Sequence, residues 1–218
     1  MTAIGPAGVF TIDAINAGDA LGGANDQEHA FQLGVDTCGT CAPYRITSQM
    51  SQPLQNIGAR STQSMGIFAG TGDQSNYVKA VVTPGPDATG GIQLLVEESD
   101  VVTADVFTPA PELLTGSLVT VSLDIDPIAG TATASYQVDG GPETAAGGPV
   151  SVPTSWSTSA ATAAGIIATS AGAPDFTGTW NRFAVVAAPN PGTGSWTQLA
   201  DHADARHENS FVELNGLL

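Results

Sequence analysis

Between Thr131 and Asp139 the chain reads TATASYQVD. Ala132, Ala134, Tyr136 and Val138 fall on one side of an extended backbone, and Thr131, Thr133, Ser135, Gln137 and Asp139 on the other. A strict period of two predicts a half-buried strand and excludes a helix there. The pattern recurs at residues 9–15 (VFTIDAI) and at 117–126 (SLVTVSLDID), where Leu118, Val121, Leu123 and Ile125 are among the apolar members. Residues 63–82 (QSMGIFAGTGDQSNYVKAVV) hold two apolar runs, 65–69 and 77–82, joined by GTGDQSN. The glycines, Asp73 and Asn76 of that joint permit a tight reversal, which predicts a hairpin. A second turn cluster, TPGPDATGG, leads into a further strand at 92–97. The chain therefore meanders through antiparallel pairings, and such a sheet has one face to bury and one on which a ligand can sit.

Residues 31–35 and 44–50 read as two more strands, with 54–57 continuing the second after Pro53, and 165–169 and 179–187 complete the set. The glycine-rich segment 17–27 and the polar, proline-containing passage 99–115 read as connections. Residues 154–164 contain alanines, but their Ser and Thr content favours a turn or a single helical turn. About ten short strands separated by turns predict an all-β fold in two packed antiparallel sheets.

At 218 residues the chain has room for one sizeable β domain. It carries 21 acidic and five basic residues, Lys79 being the single lysine, for a net charge of −16. That field repels nucleic acid and anionic membrane surfaces, so neither is an expected partner. No apolar run approaches the roughly 18 residues of a membrane span, so no membrane insertion is expected. An acidic surface suits a salty or calcium-rich exterior, and it also serves simple solubility. The opening MTAIGPAG lacks the basic and apolar regions of a signal peptide. The chain is thus cytosolic or an internal piece of a larger protein, and its Gly, Thr, Ser, Ala and Pro content favours the second. Cys38 and Cys41 form Cys-Gly-Thr-Cys between two strands. A redox pair of that spacing needs a βαβ setting, so a disulfide staple in an oxidising compartment is the expectation, and two cysteines alone fall short of a metal site.

The succession GIFAGTGDQSNYVKAVV, GGIQLLVEE, LVTVSLDIDPIAGTATASYQVDGG and AAGIIATSAGAPDFTGTWNRFAVV resembles concanavalin A-like (laminin G-like) jelly-roll domains of large secreted bacterial proteins. The resemblance covers roughly residues 31–186 and contains no catalytic signature. It implies a two-sheet antiparallel jelly-roll sandwich of the lectin and glucanase type over residues 1–188. Residues 189–194 (PNPGTG) have linker composition. The stretch SWTQLADHADARHENSFVELNGLL, 195–218, is similar to the start of a kelch propeller blade cut short before its double glycine.

In such proteins the sandwich sits among other extracellular modules. The resemblance therefore implies a secreted or cell-surface location, with a polysaccharide or glycan and the neighbouring domains of the parent protein as partners. The expected function is a non-catalytic carbohydrate-binding or adhesive accessory module. A spacer packing on a neighbouring propeller is the alternative, and a glycoside hydrolase or polysaccharide lyase is a further one.

Asp124 and Asp126 stand at i and i+2 of one strand, so their carboxylates share a face about 7 Å apart. Glycosidases of this fold place acids at such alternating positions, but Asp-Ile-Asp-Pro offers no glutamate for the usual trio. No catalytic residues are expected; the two aspartates are candidate ligand contacts, against a solvated face with a turn cap before Pro127. Glu97 and Glu98 are adjacent and point to opposite faces. The resemblance also implies a Ca²⁺ at a rim loop. Asp73 and Asn76 are its candidate ligands, with Asp19, Asp26 and Asp36 in reserve, against a turn in which Asp73 and Asn76 bond only the backbone. For an aromatic platform under a sugar the candidates are Trp156, Trp180, Tyr44 and Tyr77. Trp180 reads as core and Tyr77 is balanced between core and rim. Trp156 is the main exposed choice, with packing over an open end of the sandwich as its alternative.

Overall fold

The computed structural model describes residues 9–16, 18–35, 42–55, 57, 63–158 and 162–187. Cys38, Cys41, Asp36, the linker 189–194 and the kelch-like segment 195–218 lie outside the described residues.

Twelve strands form two six-stranded sheets, every pairing antiparallel. The strands are β1 (Phe10–Ile15), β2 (His29–Val35), β3 (Tyr44–Ser51), β4 (Ser64–Gly70), β5 (Asn76–Thr83) and β6 (Gly91–Glu98), then β7 (Val101–Pro109), β8 (Leu118–Asp126), β9 (Thr131–Val138), β10 (Thr144–Ser151), β11 (Thr162–Thr169) and β12 (Phe176–Ala187). The first sheet runs β1-β12-β3-β8-β9-β10 and the second β2-β11-β4-β5-β6-β7. This is the all-β two-sheet sandwich that the alternating segments predict, and the jelly roll of lectin and glucanase type that the resemblance implies.

The core lies between the sheets. Ile46, Met50, Val121, Leu123 and Ala134 of the first sheet meet Ile67, Val78, Ala80, Leu94 and Ile166 of the second. On β8 the partners of the buried residues stay half-buried and polar, as with Thr120, Asp124 and Asp126. The register puts Ile46 opposite Leu123 and Ile67 opposite Ala80, so inward-facing residues stack in rows.

Two strands lie where the sequence reading places none. The passage 99–115 contains β7, whose Val101, Val102 and Phe107 suit an extended chain. Residues 144–151 form β10 despite Gly147, Gly148 and Pro149. Both are edge strands, where one side of the backbone needs no partner and proline is tolerated. Conversely, no strand continues over 54–57: the chain turns at Pro53, and Leu54 and Ile57 drop into the core as loop residues. A helical turn, α1 (Ser155–Thr158), occupies part of the alanine-containing segment.

Leu94 is fully buried between the sheets, whereas Ile128, at a turn, is 73% exposed. Leu94→Ala is expected to destabilise the domain by about 2–5 kcal/mol through lost burial and a residual cavity. Ile128→Ala is expected to change stability by less than about 0.5 kcal/mol. Urea unfolding of the two variants checks the contrast.

Candidate functional site

The outer face of the second sheet is where the alternation fails, because its central strands are apolar on both sides. β4 and β11 are buried at every position, and β5 at every position after Asn76. Residues pointing away from the sandwich, Phe68, Tyr77, Val81, Leu95 and Ile167, form a second apolar cluster joined by Ala20. That face needs a cover, and part of it has one. Residues 18–27 leave the sheet region and fold over β5 and β6, with a 3-10 turn at Gly22–Ala24. The remainder is open and forms a pocket of about 240 Å³.

The floor of the pocket is Ala30, Phe68, Tyr77 and Ile167; its walls are Gln27, Gln32, Gly72, Asp73 and Gln74. Gln27 comes from the end of the covering strap, Gln32 from β2, and residues 72–74 from the β4–β5 hairpin. These walls are tied together: Gln32 Nε2 donates to Gly72 O (3.1 Å) and Gln74 Nε2 donates to Gln27 O (3.1 Å). A Cβ at Gly165, next to the floor on β11, would lie 2.8 Å from Phe68 Cε1, so glycine there lets the ring lie down on the sheet. Gln27 is 7% exposed, and its Oε1 accepts no hydrogen bond from the described residues. A buried acceptor without a donor is costly, and a ligand hydroxyl is the kind of group that removes the cost.

Beneath the strap lies a polar cluster. Glu97, fully buried, accepts from Gly22 N (2.5 Å), Tyr77 Oη (3.2 Å) and Asn25 Nδ2. Tyr77 Oη also donates to Asn25 Oδ1 (3.2 Å). Burial, and then the Glu97 charge, push the Tyr77 phenol well above its ordinary range. Lys79 Nζ donates to Ala20 O (2.5 Å) and stands 6.0 Å from the Tyr77 ring. Burial lowers the Lys79 amine from 10.5 to about 8, against the opposing pull of Asp19, Glu97 and Asp105.

Of the residues singled out in the sequence, the structure brings Tyr77 and Asp73 to this pocket and disperses the others. Tyr77 is both core and rim: only 2% exposed, yet part of the pocket floor. Trp156, expected to be exposed, is instead 7% exposed and packs into the inter-sheet core from α1. Buried there, its indole is not an exposed platform for a sugar. Tyr44 and Trp180 are likewise core.

Asp124 and Asp126 lie on the outer face of the first sheet and are already engaged. Arg45 Nε and Nη2 grip both oxygens of Asp124 at 2.8 Å, a bidentate pair, and Arg45 Nη1 reaches Glu143 at 3.1 Å. The Asp124 hydrogen bond holds the Arg45 guanidinium above its already high range. Ser135 Oγ donates to Glu143 (2.5 Å), which, with Arg45, keeps that carboxyl below its usual range despite partial burial. Asp126 accepts from Ile128 N and Ala129 N, both 2.9 Å, as the cap of its turn.

The expected calcium ligands do not form an open donor set. Asp73 accepts from Thr71 Oγ1 (2.7 Å), Ser75 N (2.8 Å) and Asn76 Nδ2 (3.1 Å). Its carboxyl is lowered by the bonds from Thr71, Ser75 and Asn76, which outweigh its partial burial. Asn76 Oδ1 accepts from Ser99 N (3.0 Å). Asp19 and Asp26 close the neck of the strap, Asp19 N donating to Asp26 Oδ1 at 2.8 Å. Among the described residues no three His, Cys, Asp or Glu side chains converge as a metal centre.

The pocket residues that sequence reading passes over are Gln27, Gln32, Gln74, Phe68 and Ile167. Each is unremarkable alone. The available signal was the apolar residues at consecutive positions of β4, β5 and β11, broken in β5 by Lys79, which mark a sheet covered on both sides.

No protein-family model matches the chain, and no curated protein matches it. Solved structures do. A functionally unknown protein from Saccharomyces cerevisiae aligns with TM-score 0.61 at 11% identity, over 87% of this chain and 93% of that one. A xylan β-1,4-xylosidase from Bacillus halodurans C-125 aligns with TM-score 0.57 at 14% identity, over 81% of this chain but 32% of that one. Lectin I-B4 from Griffonia simplicifolia, in its metal-free form, aligns with TM-score 0.52 at 13% identity, over 82% and 93%. The chain thus spans about a third of the xylosidase and nearly all of the other two.

The buried Lys79 generates a pH prediction. Its amine titrates near 10.5 when unfolded and near 8 when folded, so between those values the unfolded chain binds the extra proton. Stability from this group therefore rises with pH across that window and is flat below it. Relative to Lys79→Met, the wild-type protein is expected to gain on the order of 2–3 kcal/mol from pH 8 to pH 10. Urea unfolding of both proteins at each pH, taken as a difference, removes the contribution of the tyrosines. These likeness values and the shared sandwich establish one thing about the chain: its fold is that of the lectin and glycoside-hydrolase jelly rolls.

Proposed function

We propose that the protein is a non-catalytic carbohydrate-binding module that takes a neutral sugar in the pocket on the outer face of the second sheet. The observation that carries this reading is the make-up of the pocket: an apolar, partly aromatic floor ringed by three glutamines, one with a buried, unsatisfied acceptor. A pyranose has an apolar face and a rim of hydroxyls that both donate and accept, and such a floor and rim complement it. The sandwich shared with a plant lectin and a xylosidase supports the class of ligand.

The volume, about 240 Å³, is below the roughly 300–1,000 Å³ that encloses a drug-sized molecule, which favours one sugar ring over a longer chain in the pocket as it stands. No cation lines the pocket, and the chain carries a net charge of −16, which disfavours uronates and sulfated glycans. Hydrolysis of a glycosidic bond needs two carboxyls flanking it. Asp73 is the single acid in the lining, and both its oxygens are held by the hairpin. Binding without cleavage is the function this geometry suits. The secreted or surface location and the docking to neighbouring modules follow from the same reading as proposals of equal standing.

Screening against an array of neutral and acidic glycans, with and without EDTA, tests it. Binding to neutral glycans that survives chelation is expected. For a glycan so found, Gln32→Ala and Gln74→Ala are each expected to weaken affinity about three- to tenfold, the loss of a hydrogen bond or two. Silence across the array would leave an architectural spacer as the better account.

A further inference from the structure

We propose that residues 18–27 are a displaceable strap over a continuation of the pocket, and that the uncovered groove accepts a chain of neutral sugars longer than the single ring the pocket holds. This inference rests on the carbohydrate reading for its ligand, while the movement of the strap stands on separate observations.

The pocket floor continues under the strap. Phe68, Tyr77 and Ile167 line the open part, and Val81 and Leu95 belong to the same apolar cluster outside the pocket lining, together with the strap's Ala20. The strap is a loop with a closed neck. Asp26 N donates to Asp19 O (3.2 Å) and Asp19 N to Asp26 Oδ1 (2.8 Å). Gly18, at φ +88°, approaches so closely that a Cβ there would sit 2.5 Å from Gln27 Cα. A compact loop with its ends together can swing as one body. Gln27, at the neck, is also a wall of the pocket, so movement of the strap reshapes the site.

Besides Ala20, buried in the apolar cluster, what holds the strap down is polar. Lys79 Nζ bonds Ala20 O, and Glu97 bonds Gly22 N and Asn25. Sugar hydroxyls can stand in for each of these partners, because they both donate and accept. The closed strap also confines the ammonium of Lys79. The charged and titratable groups facing it are Asp19 from the strap, Glu97 from β6, Asp105 from β7 and Tyr77 from its own strand; β4 presents only Phe68. Burial outweighs the pull of the three carboxylates, so the charge is better hydrated than confined. The closed state alone bears that cost, which brings the open state within reach.

Lys79 is the sole lysine, so its acylation reports opening at one position. The intact protein is treated with an amine-acetylating ester, and Lys79 modification is followed by mass spectrometry. The expected rate is far below that of the urea-unfolded chain and unchanged by low urea, as for a local opening. It is also expected to rise with pH to about 8 and then level, since opening above that pH must take up a proton, whereas the unfolded chain continues to react faster up to the ordinary lysine range. Asn25→Ala is expected to speed labelling about tenfold, with Ile128→Ala as an unaffected control. Hydrogen exchange at Gly22 N–H is expected to show the same opening in the unmodified sequence. A labelling rate that climbs with urea in step with global unfolding would overturn the strap, as would a rate equal to that of the unfolded chain.

The ligand half is read with xylose, xylohexaose, glucose and cellohexaose. In Asn25→Ala at least one hexaose is expected to gain threefold or more over its monomer relative to wild type. No such gain, with the monomer bound, overturns the extended groove while leaving the pocket reading intact. Failure of all four to bind overturns the ligand class named here, and labelling of Lys79 still decides the strap.

Discussion

A sheet sandwiched against another has one face to hide, but the second sheet of this protein has two. Its central strands β4, β5 and β11 carry apolar side chains toward the first sheet and away from it, and water cannot be left on either side without cost. The first sheet answers the inner face. Among the described residues the outer face is covered unevenly, by the strap 18–27 over β5 and β6 and by the walls of a small pocket over β4 and β11. The position of the candidate site follows from that shortfall.

Electrostatics follow the same division. On the outer face of the first sheet, acids and hydroxyls meet solvent, and charged groups pair where they are adjacent: Arg45 with Asp124 and Glu143, Asp126 with its own turn. Such pairs are half-exposed and contribute little to stability. On the outer face of the second sheet the strap drives Lys79 and Glu97 out of water, so their partners matter more. Two ionisable groups are tolerable there because Glu97 is satisfied by Gly22, Asn25 and Tyr77, and Lys79 by the strap's own carbonyl. The cluster is thus a clasp between the chain's single lysine and the strap.

The sandwich was legible because period two leaves a trace in sequence wherever one face is wet. β8 and β9 show this plainly. The hairpin of β4 and β5 was legible from its turn chemistry, and Asp73 and Asn76 do cap it. β7 and β10 escaped notice because edge strands tolerate glycine, proline and charge that a central strand excludes. Within the site, Tyr77 stood out as an aromatic at a hairpin mouth, while Trp156 misled because a Pro-Thr-Ser-Trp-Ser loop reads as exposed until the inter-sheet core is there for the indole to pack into.

The amino-acid sequence by itself determined that the chain would alternate, turn and pair into antiparallel layers, since those properties depend on neighbours within a few residues. Only the tertiary structure decided which apolar face the glycine-rich segment 18–27 would cover. It also decided that Gln27, Gln32 and Gln74, up to 47 positions apart, would ring one hollow with Phe68 and Tyr77 at its base. Burial and hydrogen bonding between distant segments have no local signature, because the partner that satisfies a group is chosen by the folded geometry and not by position along the chain.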